Sequence, residues 1–188
     1  MARESAEFVR QPLRARTRSR RAPDERIALR CPTFAATTAR LIDRLRPRSR
    51  LRKAALSRAV RLSLEAYNRR DLEAVVASWG RDFVYVPDRK WIDAGLVGPR
   101  YRGFAGYREY VAAADEVWGG ANYLKPLELV DLGTRLVVLA EGTMRAQASG
   151  VPLTEAYAVV LTLDGGRVVE VQEYFDHATA LKAVGLDN

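Results

Sequence analysis

TLDGGRVVEVQEYFDHATALKAVGL, residues 162 to 186, reads as the end of one strand, a tight turn, a second strand and a closing helix. Asp164-Gly165-Gly166 supplies residues that tolerate positive φ between the apolar run 157–163 and the run 168–175, the signature of a two-residue hairpin. Asp176 stands where a helix N-cap belongs, Ala178 to Ala183 can continue the helix, and Gly185 can close it in a left-handed C-cap.

Upstream, a period of two runs through 123–132, 135–147 and 154–163, with turns at Gly133-Thr134 and Ser149-Gly150. Short turns join antiparallel neighbours, so these segments and the last strand predict a four-stranded meander. Before it the period is helical. Leu56, Val60, Leu64 and Tyr67 recur at helical spacing over 51–68, and Leu72, Val75, Val76 and Trp79 form a stripe on a short second helix that Asp71 can cap. A third helix follows Gly103, with Phe104, Tyr107, Tyr110, Val111, Ala114 and Trp118 on one side and a stop at Gly119-Gly120. DFVYVP at 82–87 predicts one earlier strand, and 88–100 reads as a loop. Three helices followed by a meander specify an α+β domain whose curved sheet wraps the helices and leaves an apolar pocket at its open end.

The first 53 residues differ in character. Residues 1–58 hold 17 Lys and Arg against 5 Asp and Glu, a net of +12 in a chain whose total is +8, so the rest is acidic. Pro12, Pro23, Pro32 and Pro47 interrupt any long helix, and few apolar residues recur at a useful spacing. An Arg-rich, disordered extension is the expectation, with the domain starting at residue 54. RQPLRARTRSRRAP at 10–23 admits a nucleic-acid or anionic-surface tether. A solvated extension, or a start placed too early, is favoured, because no aromatic residues interleave with the arginines to stack on bases. A single cysteine, Cys31, excludes an internal disulfide framework, and with one histidine it argues against a zinc site, so no metal or cofactor is expected. No run approaches membrane-span length and the N-terminus lacks an apolar signal core, so a cytoplasmic protein without membrane association is expected.

Several local motifs point to a family. They are Tyr67-Asn68-Arg69-Arg70-Asp71-Leu72 at the first helix junction, Tyr101-Arg102-Gly103 with Gly106, Ser149-Gly150, and Tyr174-Phe175-Asp176 followed by Ala180-Leu181 and Gly185-Leu186. From Leu56 to Leu186 the chain resembles the SnoaL-like branch of the NTF2-like superfamily, above all its uncharacterised bacterial members, with ketosteroid isomerases, polyketide cyclases and limonene epoxide hydrolases as relatives. The resemblance implies an NTF2-like, cystatin-like cone: three N-terminal helices packed in a curved antiparallel sheet, and a short C-terminal helix. It also implies a homodimer through the convex sheet face. It does not fix the reaction, because the superfamily places unrelated chemistries and plain binding roles in one pocket.

Steroid isomerisation of the kind found in those relatives needs a carboxylate base and a protonated aspartate. The corresponding positions fall at Val86 and near Ala158 or Val159, all apolar. Arg145, flanked by Met144 and Ala146, lacks the aspartates of an epoxide hydrolase triad. Glu141, Thr143, Arg145 and Gln147 share a face that reads as solvated, and His177 is expected to point to solvent. Glu173 is different. Alternation sets it on the apolar face with Val169, Val171 and Phe175, where burial would raise its pKa and make it a general acid or base, with Tyr157 or Arg145 nearby. A rim carboxylate paired with a cation such as Arg145 is the competing reading. Tyr85, Trp91, Tyr107, Trp118, Val159 and Phe175 are the expected pocket wall. The first expectation is therefore a binding protein for a small, mostly apolar organic molecule; an isomerase, cyclase or hydrolase using Glu173 is the rival, and a nucleic-acid tether the third.

Overall fold

The structure is a computed structural model that describes residues 8–14, 19–118, 120, 122–145 and 152–186, with the backbone alone at 145 and 152. The expected turn at Ser149-Gly150, together with Gln147, lies outside the described residues.

The hairpin forms as its sequence requires. Strands β6 (Pro152–Asp164) and β7 (Arg167–Tyr174) pair antiparallel with Asp164 opposite Arg167, and Gly165 and Gly166 take φ of 53° and 76°. Positive φ at both central residues makes the tight hairpin turn that suits the strand twist. With β4 (Tyr123–Asp131) and β5 (Arg135–Arg145), these strands complete the meander. Strands β1 (Val9–Pro12), β2 (Trp79–Val86) and β3 (Tyr101–Arg102) extend it to seven strands in the order β1-β4-β5-β6-β7-β2-β3.

One pairing departs from the antiparallel expectation: β2 runs parallel to β7, with Tyr85 opposite Val171. No hairpin links these strands, so nothing forces them antiparallel. Irregularities at 79/84, 126/128 and 162/163 break the ladders and bend the sheet.

Helices α3 (Arg50–Asn68) and α6 (Gly103–Trp118) fill the concave side, where Val60, Tyr107, Val111, Leu129, Val138 and Val171 belong to one buried core. The second helix, α4 (Leu72–Val75), is only four residues long. Asp71 caps it by accepting from the Ala74 amide, and Trp79 begins β2 rather than ending the helix. The expected loop 88–100 contains a further turn, α5 (Arg89–Asp93), capped by Asp88. On the convex side α7 (His177–Ala183) starts at the Asp176 cap, whose carboxylate accepts from the Thr179 amide at 2.6 Å, and lays Ala180, Leu181 and Val184 over Val137 and Val160. Gly185 follows at φ 81°.

The described residues of the extension carry secondary structure. Beyond β1, its described residues form α1 (Pro23–Arg30) and α2 (Pro32–Asp43). Of the prolines read as breakers, Pro23 and Pro32 sit at the first helical position, where a missing N–H costs nothing and the preset φ helps. Ion pairs tie the extension to the domain in both directions. Arg21 donates to both Asp71 oxygens at 2.6 and 2.7 Å, Arg58 pairs with Asp24, and Arg69 pairs with the buried Glu25. Arg52, 1% exposed, donates to Asp131 of β4 at 2.7 and 3.0 Å. α2 is also seated by the hairpin: a Cβ built at Gly166 would fall on the Ala39 carbonyl, so only glycine allows that approach.

Candidate functional site

The stripe that predicted the first helix, Leu56, Val60, Leu64 and Tyr67, faces a cavity of about 490 Å³. Its far wall is the concave sheet, through Leu136, Val138, Tyr157, Val159 and Val171. Its inner end meets Trp79, Tyr85 and Tyr107, and α1 and α2 close the outer end with Ile27, Phe34, Ala35 and Ile42. Most of the wall is hydrocarbon, so the site suits an apolar molecule; its polar residues are the tyrosines at the inner end and, at the outer end, ion-paired ones such as Asp24 with Arg58 and Asp43 with Arg52.

Glu173 lies directly behind that wall. It is 2% exposed and does not line the cavity. Its Oε1 accepts from the Tyr110 hydroxyl at 2.8 Å and the Tyr85 hydroxyl at 3.0 Å, and its Oε2 accepts from the Asp88 amide at 3.1 Å. Among the described residues it forms no ion pair. Burial pushes its pKa up, against the hydrogen bonds from Tyr110, the Asp88 amide and Tyr85, which favour the ion. The competing reading of a rim carboxylate is therefore set aside for the position. The Arg145 part of that reading, like its candidacy as a catalytic group, falls on a side chain outside those described.

Two elements fix the carboxylate. Tyr110 comes from α6 and stacks its ring 4.4 Å from that of Tyr85 on β2. Asp88 holds the loop after β2 in place by accepting from the Phe175 amide at 2.9 Å and the Lys90 amide at 2.7 Å. The Tyr157 hydroxyl lies 3.4 Å from that of Tyr85, and both residues line the cavity. A chain of hydroxyls thus leads from the buried carboxyl to the cavity. Burial raises the pKa of Tyr85, Tyr107, Tyr110 and Tyr157, and lifts Tyr67 to about 12, so all five are hydrogen-bond donors at neutral pH.

Of the expected wall, Tyr85, Tyr107 and Val159 line the cavity, as does Tyr157. Trp91, Trp118 and Phe175 do not. They pack with one another behind Tyr157, with Trp91 4.9 Å from Phe175 and 6.0 Å from Trp118. His177 is half-buried rather than solvated: its Nε2 lies 2.8 Å from the Ala140 carbonyl and 3.1 Å from that of Tyr157. Both partners can only accept, so Nε2 carries a proton and pins α7 to the sheet. Sequence reasoning missed Tyr67 and Tyr110, which stood in helical stripes read as core, and the wall formed by α1 and α2. Among the described residues no three His, Cys, Asp or Glu side chains group as a metal site would need, and no helix is long and apolar enough to cross a membrane.

A family model described as the SnoaL-like domain matches residues 60–171. No curated protein matches. Among solved structures, TerC co-crystallized with polyporic acid is 25% identical, with a TM-score of 0.57, covering 66% of this chain and 94% of its own. An NTF2-like protein of unknown function from Burkholderia pseudomallei is 26% identical, with a TM-score of 0.57, covering 68% of this chain and 95% of its own. A protein from Catenulispora acidiphila with a ketosteroid isomerase-like fold, in complex with trimethylamine, is 16% identical with a TM-score of 0.52, covers 68% of this chain and 92% of its own, and supports the fold alone.

Proposed function

The chain belongs to the SnoaL-like family, and from that membership together with its lined cavity we propose that it binds a small, mostly apolar organic molecule carrying a carbonyl or hydroxyl oxygen. The observation that carries the reading is the contrast within the cavity wall: hydrocarbon over most of its area, and protonated tyrosine hydroxyls at one end. Tyr157 donates to the ligand oxygen, and the apolar wall supplies the remainder of the affinity through burial. The polyporic acid bound by TerC is an organic molecule of the class that such a cavity accommodates, which makes it the first compound to try.

The test is a binding panel of polyporic acid, quinones, phenols and polyketide-like ketones, read by isothermal titration. Tyr157→Phe removes one hydroxyl and should weaken the best ligand by about tenfold, the worth of one buried hydrogen bond. Equal affinity of the variant, or no binder across the panel, overturns the reading.

The chain Glu173, Tyr85, Tyr157 favours a second reading, a cofactor-independent isomerase, cyclase or epoxide hydrolase. In it the raised Glu173 carboxyl exchanges a proton with the ligand through the two hydroxyls. Turnover that is lost in Glu173→Gln while binding persists supports it; binding without turnover in the unaltered protein dismisses it.

A further inference from the structure

The corner where α2 turns into α3 carries Arg40, Arg44, Arg46, Arg48, Arg50 and Lys53. All five arginines are exposed. The only acid within 40–53, Asp43, turns inward onto Arg52, which is itself buried against Asp131. The stretch thus carries a strong excess of positive charge, with Arg40, Arg44, Arg46 and Arg50 turned outward. Leucines stand among the guanidinium groups, Leu41 at 58% and Leu51 at 62% exposure, and Phe34 on the same helix is 62% exposed.

Positive charge alone suits any polyphosphate. The leucines discriminate. They add nothing to contacts with the phosphates of a nucleic acid, whereas at a bilayer surface they enter the acyl boundary while arginines hold the headgroups. The neighbouring flank of α2 supports the same partner: Ala35, Ala39 and Ile42 line the cavity, and Phe34 belongs to both surfaces.

We propose that the α2–α3 corner docks on an anionic lipid surface, with the arginines on headgroup phosphates, Leu41, Leu51 and Phe34 in the acyl boundary, and the outer end of the cavity turned to the bilayer. The docking does not depend on which molecule the cavity takes. It amends the sequence-based expectation of no membrane association, through a peripheral contact rather than a span.

The full chain is sedimented with vesicles of phosphatidylcholine, pure or with about a third phosphatidylglycerol, over a range of salt. Binding to the anionic vesicles should be at least about tenfold tighter than to the neutral ones. Arg44→Glu with Arg46→Glu and Arg50→Glu should remove that difference, while Arg81→Glu with Arg102→Glu, exposed cations elsewhere on the chain, should leave it. Leu41→Ser with Leu51→Ser, at positions exposed enough to keep the fold, should weaken binding severalfold, with circular dichroism unchanged. Equal binding to both vesicle types overturns the proposal. So does indifference to the leucine pair, or retention on duplex DNA in preference to vesicles, which would assign the corner to nucleic acid.

Discussion

Glu173 holds a buried carboxyl on three hydrogen bonds whose donors are two phenols and one amide, all neutral. Its pKa in the folded chain lies above the unfolded value, so its contribution to stability is complete below the unfolded value of about 4.3 and is lost as pH rises through the folded value. Glu173→Gln cannot ionise. Denaturant unfolding should therefore show the unaltered protein losing stability relative to this variant as pH rises from the unfolded value to the folded one, with a flat difference below. A difference that grows in favour of the unaltered protein as pH rises would mean that the ion is the stabilised form. The inward direction of Glu173 was legible, because alternation along VVEVQEYF placed it with Val171. Its partners were not. Tyr110 is 63 residues away and Asp88 is 85 away, and no local period encodes contacts across such separations.

Among the elements, the hairpin and the caps at Asp71 and Asp176 could be read directly, since positive φ and orphan amides demand particular residues. The parallel seat of β2 and the two helices of the extension could not, because long-range packing decides them. The hairpin turn joins the two groups. Gly166 serves both the turn and the approach of α2. Gly166→Ala should cost about 1–2 kcal/mol for the left-handed backbone, plus the clash with the Ala39 carbonyl. Hydrogen exchange should then show protection lost in α2 while β5 and β6 keep theirs. Uniform loss across the sheet would instead make the turn a requirement of the whole meander.

At the scale of the whole molecule, the extension and the domain are bound by Arg52 and Asp131, which together take two charges out of water. Removing one partner leaves the other buried and unpaired, so Arg52→Ala and Asp131→Ala should each cost about 3–5 kcal/mol in denaturant unfolding. The double variant should recover much of that loss, and simple additivity would show that the pair does not couple. The residues matched by the family hold only one side of this junction: Asp131 falls within 60–171, whereas Arg52 precedes residue 60, as do β1, α1 and α2, so one end of the cavity is built from chain outside the shared domain. β1 has a different consequence. It occupies the outer side of β4 at 128–131, where bare amides and carbonyls would invite a strand from another molecule, and it presents Arg10 and Pro12 in their place. A charged edge with a residue that cannot donate resists stacking into fibrils. The N-terminal strand thus protects the colloidal stability of the protein, and a chain trimmed past Pro12 would clump at concentrations where the intact one stays dispersed.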